Sequence, residues 1–94
     1  MPLFVITIEY TRPLPEIEAA TPDHRAYLRA AFEQGRLFAS GPFVPRTGGM
    51  LLIKAADAAE AQAFVAGDPF QQRGLASYGV REWNPVINRE AFGL

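Results

Sequence analysis

The stretch RLFASGPFVPRTGGMLLIKA, Arg36–Ala55, decides the fold, because it contains two predicted strands with only a turn between them. The first strand is predicted over Arg36–Phe43, broken near its end by Gly41-Pro42, and the second over Met50–Ala55. The turn VPRTGG joins them, and strands joined by so short a turn pair antiparallel. The chain on either side of this pair then determines the fold class.

Upstream of the pair, the sequence predicts a strand and then a loop. LFVITIEY, Leu3–Tyr10, is rich in β-branched and aromatic residues and is bounded by prolines, which is typical of a strand. It is apolar on both faces until Thr7 and Glu9, which predicts a central strand covered on both sides. Thr11–Ala20 has two prolines and no clear period, so a loop is predicted there.

The first helix is predicted to begin at Thr21 and to end at Gly35. The Thr21 hydroxyl can cap free N–H groups, Pro22 suits the first helical position, and Asp23 complements the helix dipole. One face of this helix carries residues spaced three and four apart: His24, Tyr27, Leu28, Ala31 and Phe32.

Downstream of the pair, a second helix and a fourth strand are predicted. Asp57 can cap a helix that ends at Gly67, and Asp68-Pro69 terminates it, because the residue before a proline is driven out of the helical region. SYGVREWNPVI, Ser77–Ile87, is predicted as the fourth strand. The tail from Asn88 either forms a short helix or covers a neighbouring molecule.

The resulting order β-α-β-β-α-β predicts an α+β fold, the ferredoxin-like split β-α-β, as one domain over residues 1–94. Its antiparallel four-stranded sheet carries both helices on one face. The apolar residues of the first strand alternate onto both faces, so the other face needs a cover. We expect a second copy of the chain there, giving a homodimer with two sheets face to face.

Composition narrows the functional classes. The formal net charge is −1 and the sequence has no run of basic residues, so it predicts no basic surface for binding nucleic acid. The chain has no cysteine and one histidine, which excludes disulfides and leaves no zinc set, while a carboxylate site for a hard cation stays open. The apolar N-terminus is too short to span a bilayer and lacks a basic leader, so the cytoplasm is the expected location.

His24, the only histidine, is the first candidate for chemistry. In the first turn of a helix the dipole disfavours the protonated imidazole, so a neutral ring could act as a base near neutral pH. A partly buried histidine bonded to backbone or water explains the same position equally well.

Asp68 is the natural partner for this histidine, because the start of the first helix and the end of the second can approach the same end of the sheet. A carboxylate bonded to an imidazole fixes its tautomer and raises its basicity. The residues by themselves favour a different interpretation, in which Asp68 only caps or stiffens the turn.

The segment SGPF, Ser40–Phe43, lies where the second strand meets its loop. Its glycine and proline allow close backbone approach to a ligand, and Phe43 could line an apolar pocket, as could Phe70 and Trp83. A hairpin bend and ordinary core aromatics account for the same residues. Ser40 with His24 and an aspartate could form a triad, but no nucleophile-elbow motif surrounds the serine.

Four motifs in order resemble the YciI-like (YCII-related) family: DHRAYL, FASGPF, GDPFQQRGL and VREWNPV. That family has a histidine early in the first helix, a Gly-Pro after the second strand, an Asp-Pro-Phe before the fourth strand and a tryptophan within it. The resemblance covers nearly the whole chain and implies a dimeric ferredoxin-like α+β barrel. The proline-bearing segment Thr11–Ala20 departs from the family pattern.

The resemblance implies a cavity holding His24 and Asp68 as a catalytic pair, with the following residues binding substrate around it: Ser40, Gly41, Pro42, Phe43 and Phe70. A characterised branch of the family is similar to cofactor-free dehydrochlorinases of chlorinated hydroxyhydroquinones. We therefore expect a small-molecule enzyme without cofactor or metal that performs elimination or isomerisation on a compact hydroxylated ring. A non-enzymatic dimeric ligand-binding or regulatory module, and a cofactor-free monooxygenase, are the alternatives.

Overall fold

The chain follows the predicted order βαββαβ and adds two short helices. The computed structural model describes residues 1–94. The elements are β1 Leu3–Tyr10, α1 Leu14–Glu33, β2 Leu37–Pro42, β3 Gly48–Lys54, α2 Ala58–Ala66, α3 Pro69–Gln72, β4 Ala76–Trp83 and a closing 3₁₀ helix Arg89–Phe92.

The four strands form one antiparallel sheet in the order β2-β3-β1-β4, which confirms the predicted ferredoxin-like arrangement. β1 is central, as expected from its apolar composition. Its residues Phe4, Ile6 and Ile8 join one hydrophobic core with the buried faces of α1 and α2. Successive side chains of a strand alternate between faces, so Val5 and Thr7 lie on the opposite face, which neither α1 nor α2 covers.

The first helix begins eight residues earlier than predicted, with its first helical residue at Leu14 rather than Pro22, so the predicted loop Thr11–Ala20 and the Thr21 cap are wrong. Pro13 is the N-cap, and Thr21 lies inside the helix, where its hydroxyl donates to the Ile17 carbonyl at 2.7 Å. Pro22 also lies inside the helix, although it has no N–H to donate to the Glu18 carbonyl. Both Pro22 and Glu18 are exposed, so water can bond that carbonyl.

The other helix signals are confirmed. The Asp57 side chain accepts from the Glu60 N–H at 2.9 Å and caps α2, which ends at Gly67. Gly35 follows α1 with φ +76°, a left-handed conformation that favours glycine. None of the helices is both long and apolar enough to cross a bilayer.

Two strand boundaries differ from prediction by more than one residue. β3 begins at Gly48 rather than at Met50. The two strands approach closely here, and a Cβ at Gly48 would collide with the Ile8 carbonyl, so only glycine fits. β4 ends at Trp83 rather than at Ile87, since Pro85 cannot donate to a strand ladder.

The tail forms the short helix that was one of its two predicted outcomes. Its Phe92 ring packs edge-on against Phe38 of β2 at 5.8 Å and Trp83 of β4 at 5.9 Å between centroids. β2 and β4 are the two edge strands, so the tail crosses one end of the face that the helices leave open.

Candidate active site

Asp68 lies at the point where α2, α3 and β4 meet, and it is completely buried. It is the N-cap of α3, and its Oδ1 accepts from the Phe70 N–H at 3.1 Å. The same Oδ1 lies 2.7 Å from Nδ1 of His24, and Oδ2 accepts from the Tyr78 hydroxyl at 2.7 Å. One carboxylate therefore caps the turn and also contacts the imidazole, so turn chemistry alone does not describe Asp68.

Two contacts hold the His24 imidazole in place, a hydrogen bond and a ring stack. Its Nδ1 is bonded to Asp68, and its ring stacks on Phe70 with 3.9 Å between centroids and an interplanar angle of 6°. A carboxylate only accepts hydrogen bonds, so Nδ1 carries the proton of this contact. In a neutral imidazole the lone pair then lies on Nε2.

Nε2 of His24 is open to a reactant. It has no hydrogen-bond partner in the protein, yet no buried side-chain nitrogen or oxygen lacks a partner. Nε2 therefore contacts solvent, even though the residue as a whole is buried. This arrangement presents a basic nitrogen whose opposite side is held by a carboxylate, which suits proton transfer.

The reason given from sequence for a neutral His24 is wrong. His24 is ten residues beyond the start of α1 at Leu14, far from the first turn in which the dipole acts. Its tautomer and orientation come instead from Asp68 and Phe70, which are contacts across the fold.

Tyr78 is a site residue that sequence reasoning missed. Burial, the hydrogen bond to Asp68 and the charge of that carboxylate raise the pKa of the Tyr78 phenol well above its ordinary value. The hydroxyl therefore stays protonated and donates to Asp68. The available signal was alternation along β4, because Tyr78 pairs with Ile8 and shares its helix-facing side.

The raised pKa of Tyr78 predicts a loss of stability at high pH. Above about pH 10 an unfolded tyrosine ionises while the folded Tyr78 does not, so its contribution is present below that pH and declines above it. We expect the free energy of unfolding to fall less steeply above pH 10 in Tyr78→Phe than in the wild type. Urea unfolding from pH 8 to 11 measures this, and equal slopes in both proteins would contradict it.

A cavity of about 160 Å³ opens beside His24, between α1 and the β2–β3 hairpin. A bulge between Leu37 and Ala39 sets the register in which Ser40 pairs with Leu51 and Pro42 with Gly49, facing the helices. Its wall consists of Ile8, Tyr10, Thr21, His24, Arg25, Leu28, Ser40, Gly41, Pro42, Arg46, Gly49, Leu51 and Phe70.

Six of the seven residues expected at the site therefore come together, with Asp68 behind His24. The structure does not bring Phe43 to this cavity. Phe43 follows Pro42, which faces the helices, and it lies beside Thr7 and Thr47 in a separate depression. The Ser40 hydroxyl makes no hydrogen bond to His24, so no serine triad is formed. No three potential metal ligands cluster together.

Arg46 is a second residue that the sequence did not identify, since VPRTGG was interpreted only as a turn. Its Nη2 donates to the Thr21 hydroxyl oxygen at 3.1 Å, and its Nε lies 3.4 Å from the Tyr10 hydroxyl. The turn therefore reaches across the cavity mouth to α1. Arg25, on α1, lies at the same mouth.

The chain is similar to known proteins in sequence and in fold. The model of the YCII-related domain family matches residues 3–84. The solved structure of 5-chloro-2-hydroxyhydroquinone dehydrochlorinase (TftG) from Burkholderia phenoliruptrix AC1100, in complex with 2,5-dihydroxybenzoquinone, is similar, with a TM-score of 0.76 and 28% sequence identity. The match covers 87% of this chain and 93% of that chain. No match was found among curated proteins.

Proposed function

The chain belongs to the YCII-related domain family, and from that premise we propose that it is a cofactor-independent small-molecule enzyme in which His24 and Asp68 move a proton. One observation carries this function: Nδ1 of His24 is bonded to the buried Asp68 at 2.7 Å, which leaves Nε2 open to solvent beside the cavity. The similarity to a dehydrochlorinase supports an elimination reaction.

The substrate is a compact, hydroxylated ring. A cavity of about 150 Å³ holds one benzene-sized molecule, and the cavity here has about 160 Å³. Leu51, Ile8 and Phe70 supply apolar contacts to the faces of such a ring, while Ser40 offers a free hydroxyl. The ligand of the similar dehydrochlorinase, 2,5-dihydroxybenzoquinone, has this size and polarity.

The reaction is an elimination that needs no oxidant. In the keto tautomer of such a ring the carbon that bears the halogen also carries hydrogen. Nε2 of His24 takes the proton of a ring hydroxyl in this tautomer, and the electron pair of the broken O–H bond moves through the conjugated ring. The bond from carbon to the leaving group breaks, and a halide departs with that bond pair. Proton and halide together account for the loss of one hydrogen halide. Asp68 then stabilises the imidazolium that His24 has become.

The alternatives are less well supported. A His24–Asp68 distance too long for a hydrogen bond, even through water, would favour a ligand-binding or regulatory module, and the two side chains are 2.7 Å apart. A monooxygenase of this fold calls for a deeper cavity lined by aromatic rings. Here Tyr10 and Phe70 are the only phenyl rings in the wall.

Halide release tests the proposed function. Incubation with 5-chloro-2-hydroxyhydroquinone, followed with a chloride electrode and by the ultraviolet spectrum of the product, should show chloride and quinone appearing in equal amounts. Saturable binding of chlorinated and unchlorinated hydroxyhydroquinones without any conversion would contradict the enzyme and support the binding module.

We propose that the protein forms a homodimer through the open face of the sheet. The face of the sheet away from the helices exposes Met50 and Trp83, 42% and 43% respectively, and carries the half-buried Val5 and Leu52 in one cross-strand pair. A second copy that packs its sheet on this face would bury them.

We expect Leu52→Lys to convert the dimer to a monomer, because a charge at the centre of such an interface would be desolvated without a partner. Light scattering after size-exclusion chromatography measures the mass. Ala59→Lys, on the exposed side of α2, is the matched control and should remain a dimer. A wild type that is monomeric at micromolar concentration would contradict the dimer.

A further inference from the structure

The cavity has an unbalanced charge. Among the residues of its wall are two arginines, Arg25 and Arg46, but no aspartate or glutamate. Neither arginine has a carboxylate within 4.0 Å. The cavity wall therefore carries two positive charges and no paired carboxylate. Glu18 lies with both arginines in an adjoining depression but forms no ion pair with either.

Arg46 is positioned by neutral acceptors, which hold its side chain without neutralising it. The Thr21 hydroxyl donates its own hydrogen to the Ile17 carbonyl, so its oxygen accepts from Nη2 of Arg46. The guanidinium also lies 6.0 Å from the centre of the Tyr10 ring. A guanidinium has five N–H donors, and the protein occupies two of them here. The remaining donors are free to bind a ligand.

We propose that this cavity binds its substrate as an anion, with Arg46 as the residue that binds the charged oxygen and Arg25 as a second cation at the mouth. This assignment names the substrate class of the proposed function and rests on the same cavity. The ligand is a compact ring that bears a delocalised oxyanion, either a carboxylate or a ring hydroxyl conjugated to a carbonyl. A planar guanidinium fork matches such a group better than a single charge does.

The oxyanion has a chemical purpose in an elimination. A negative oxygen conjugated with the ring raises the electron density of the ring, so the electron pair released when His24 takes the proton expels the leaving group more readily, and the product keeps the negative charge. Arg46 therefore selects the ionised form of the ring that can react and orients it with its reacting hydrogen toward Nε2 of His24. Arg46 would be a specificity-determining residue that contacts substrate but moves no proton.

Calorimetric binding of matched ligands tests this assignment. The anions are 2,5-dihydroxybenzoquinone, whose hydroxyls are vinylogous acids, and 4-hydroxybenzoate; their neutral counterparts are 2,5-dimethoxybenzoquinone and 4-hydroxybenzamide. At neutral pH at least one anion should bind the wild type more tightly than its neutral counterpart, and the preferred anion distinguishes an ionised ring hydroxyl from a carboxylate. In Arg46→Gln the dissociation constant of that anion should rise about 10- to 100-fold, because a charge-assisted hydrogen bond is lost. The dissociation constant of the neutral ligand should not change.

Arg12→Gln is the matched control, because it removes the same charge at an exposed site away from the cavity. Arg46→Lys keeps the charge without the fork and should lie between wild type and Arg46→Gln. If Arg46→Gln does not fold, Arg25→Gln at an exposed position serves instead. It should lower the affinity for the anion but not for the neutral ligand, and added salt should lower the affinity of the wild type for the anion.

Three results would overturn the assignment: neutral ligands that bind as tightly as the anions, equal affinities in Arg46→Gln and Arg12→Gln, or no binding of any anion. Because binding and not turnover is measured, the proposed function can fail separately. Anion binding that depends on Arg46, in a protein that releases no halide, would support the anion site and contradict the elimination.

Discussion

Turnover should fall by about 10²- to 10⁴-fold when His24 is replaced by asparagine, the usual contribution of a positioned acid–base group. The asparagine amide can place an N–H near the position of Nδ1 and keep the bond to Asp68, but it has nothing at the position of Nε2. The substitution therefore removes the basic nitrogen while it preserves the buried contact. Initial rates of halide release from 5-chloro-2-hydroxyhydroquinone measure the effect.

Two controls accompany His24→Asn. Thermal unfolding should show that the variant is folded at the assay temperature, and calorimetry should show that it still binds 2,5-dihydroxybenzoquinone. A folded His24→Asn with undiminished turnover would remove His24 from the mechanism. A variant that loses both binding and turnover would assign His24 to ligand binding, which is the role expected in a non-enzymatic module.

Replacing Asp68 by alanine should lower the free energy of unfolding by about 3–5 kcal/mol, because several buried hydrogen-bond donors lose their acceptor and each one left unsatisfied costs about 1–3 kcal/mol. Asp68 is completely buried, and its carboxylate accepts from three different groups. Alanine leaves the Tyr78 hydroxyl and the Phe70 N–H without acceptors in a buried environment, where an unsatisfied donor is costly. Urea unfolding at neutral pH measures the difference.

Asp57→Ala is the matched control for Asp68→Ala. Both aspartates are helix N-caps, but Asp57 is exposed and bonds only the Glu60 N–H. We expect Asp57→Ala to cost about 1 kcal/mol, the typical contribution of a cap. If Asp68→Ala costs no more than Asp57→Ala, Asp68 is a cap alone and its contacts with His24 and Tyr78 contribute nothing measurable.

Asp68→Asn separates the charge of the carboxylate from its geometry. An amide oxygen at the Oδ1 position can still accept from Nδ1 of His24 and from the Phe70 N–H, while the amide N–H₂ faces the Tyr78 hydroxyl, which can accept. We therefore expect this variant to lose much less stability than Asp68→Ala. Its turnover should still fall, because no negative charge remains to stabilise the imidazolium.

The parts of the fold that local chemistry determines were predictable from the sequence. Asp57 and Gly35 act within one turn of helix, and both positions are confirmed. The start of α1 was not predicted, because Thr21-Pro22-Asp23 has the composition of a helix start. The helical period in fact continues upstream through Ile17 and Ala20, which are both buried, and packing against the sheet overrides the interior proline.

The site was predictable only in part, for a related reason. His24 and Asp68 carry recognisable chemistry, whereas Tyr78 and Arg46 acquire their roles from tertiary contacts. Tyr78 reaches Asp68 only because the register of β1 and β4 turns it toward the helices. Arg46 reaches Thr21 only because α1 extends past Thr21 and the hairpin folds against it. Neither contact can be deduced from the spacing of residues along the chain.

The position of the proton on the His24 imidazole tests the central claim most directly. Long-range ¹H–¹⁵N NMR correlations of the single histidine distinguish its two ring nitrogens at neutral pH, without any knowledge of the substrate. Our account predicts that Nδ1, bonded to Asp68, carries the proton and that Nε2 bears the lone pair. A spectrum in which Nε2 is protonated at neutral pH would contradict it, because His24 would then have no base to offer the cavity.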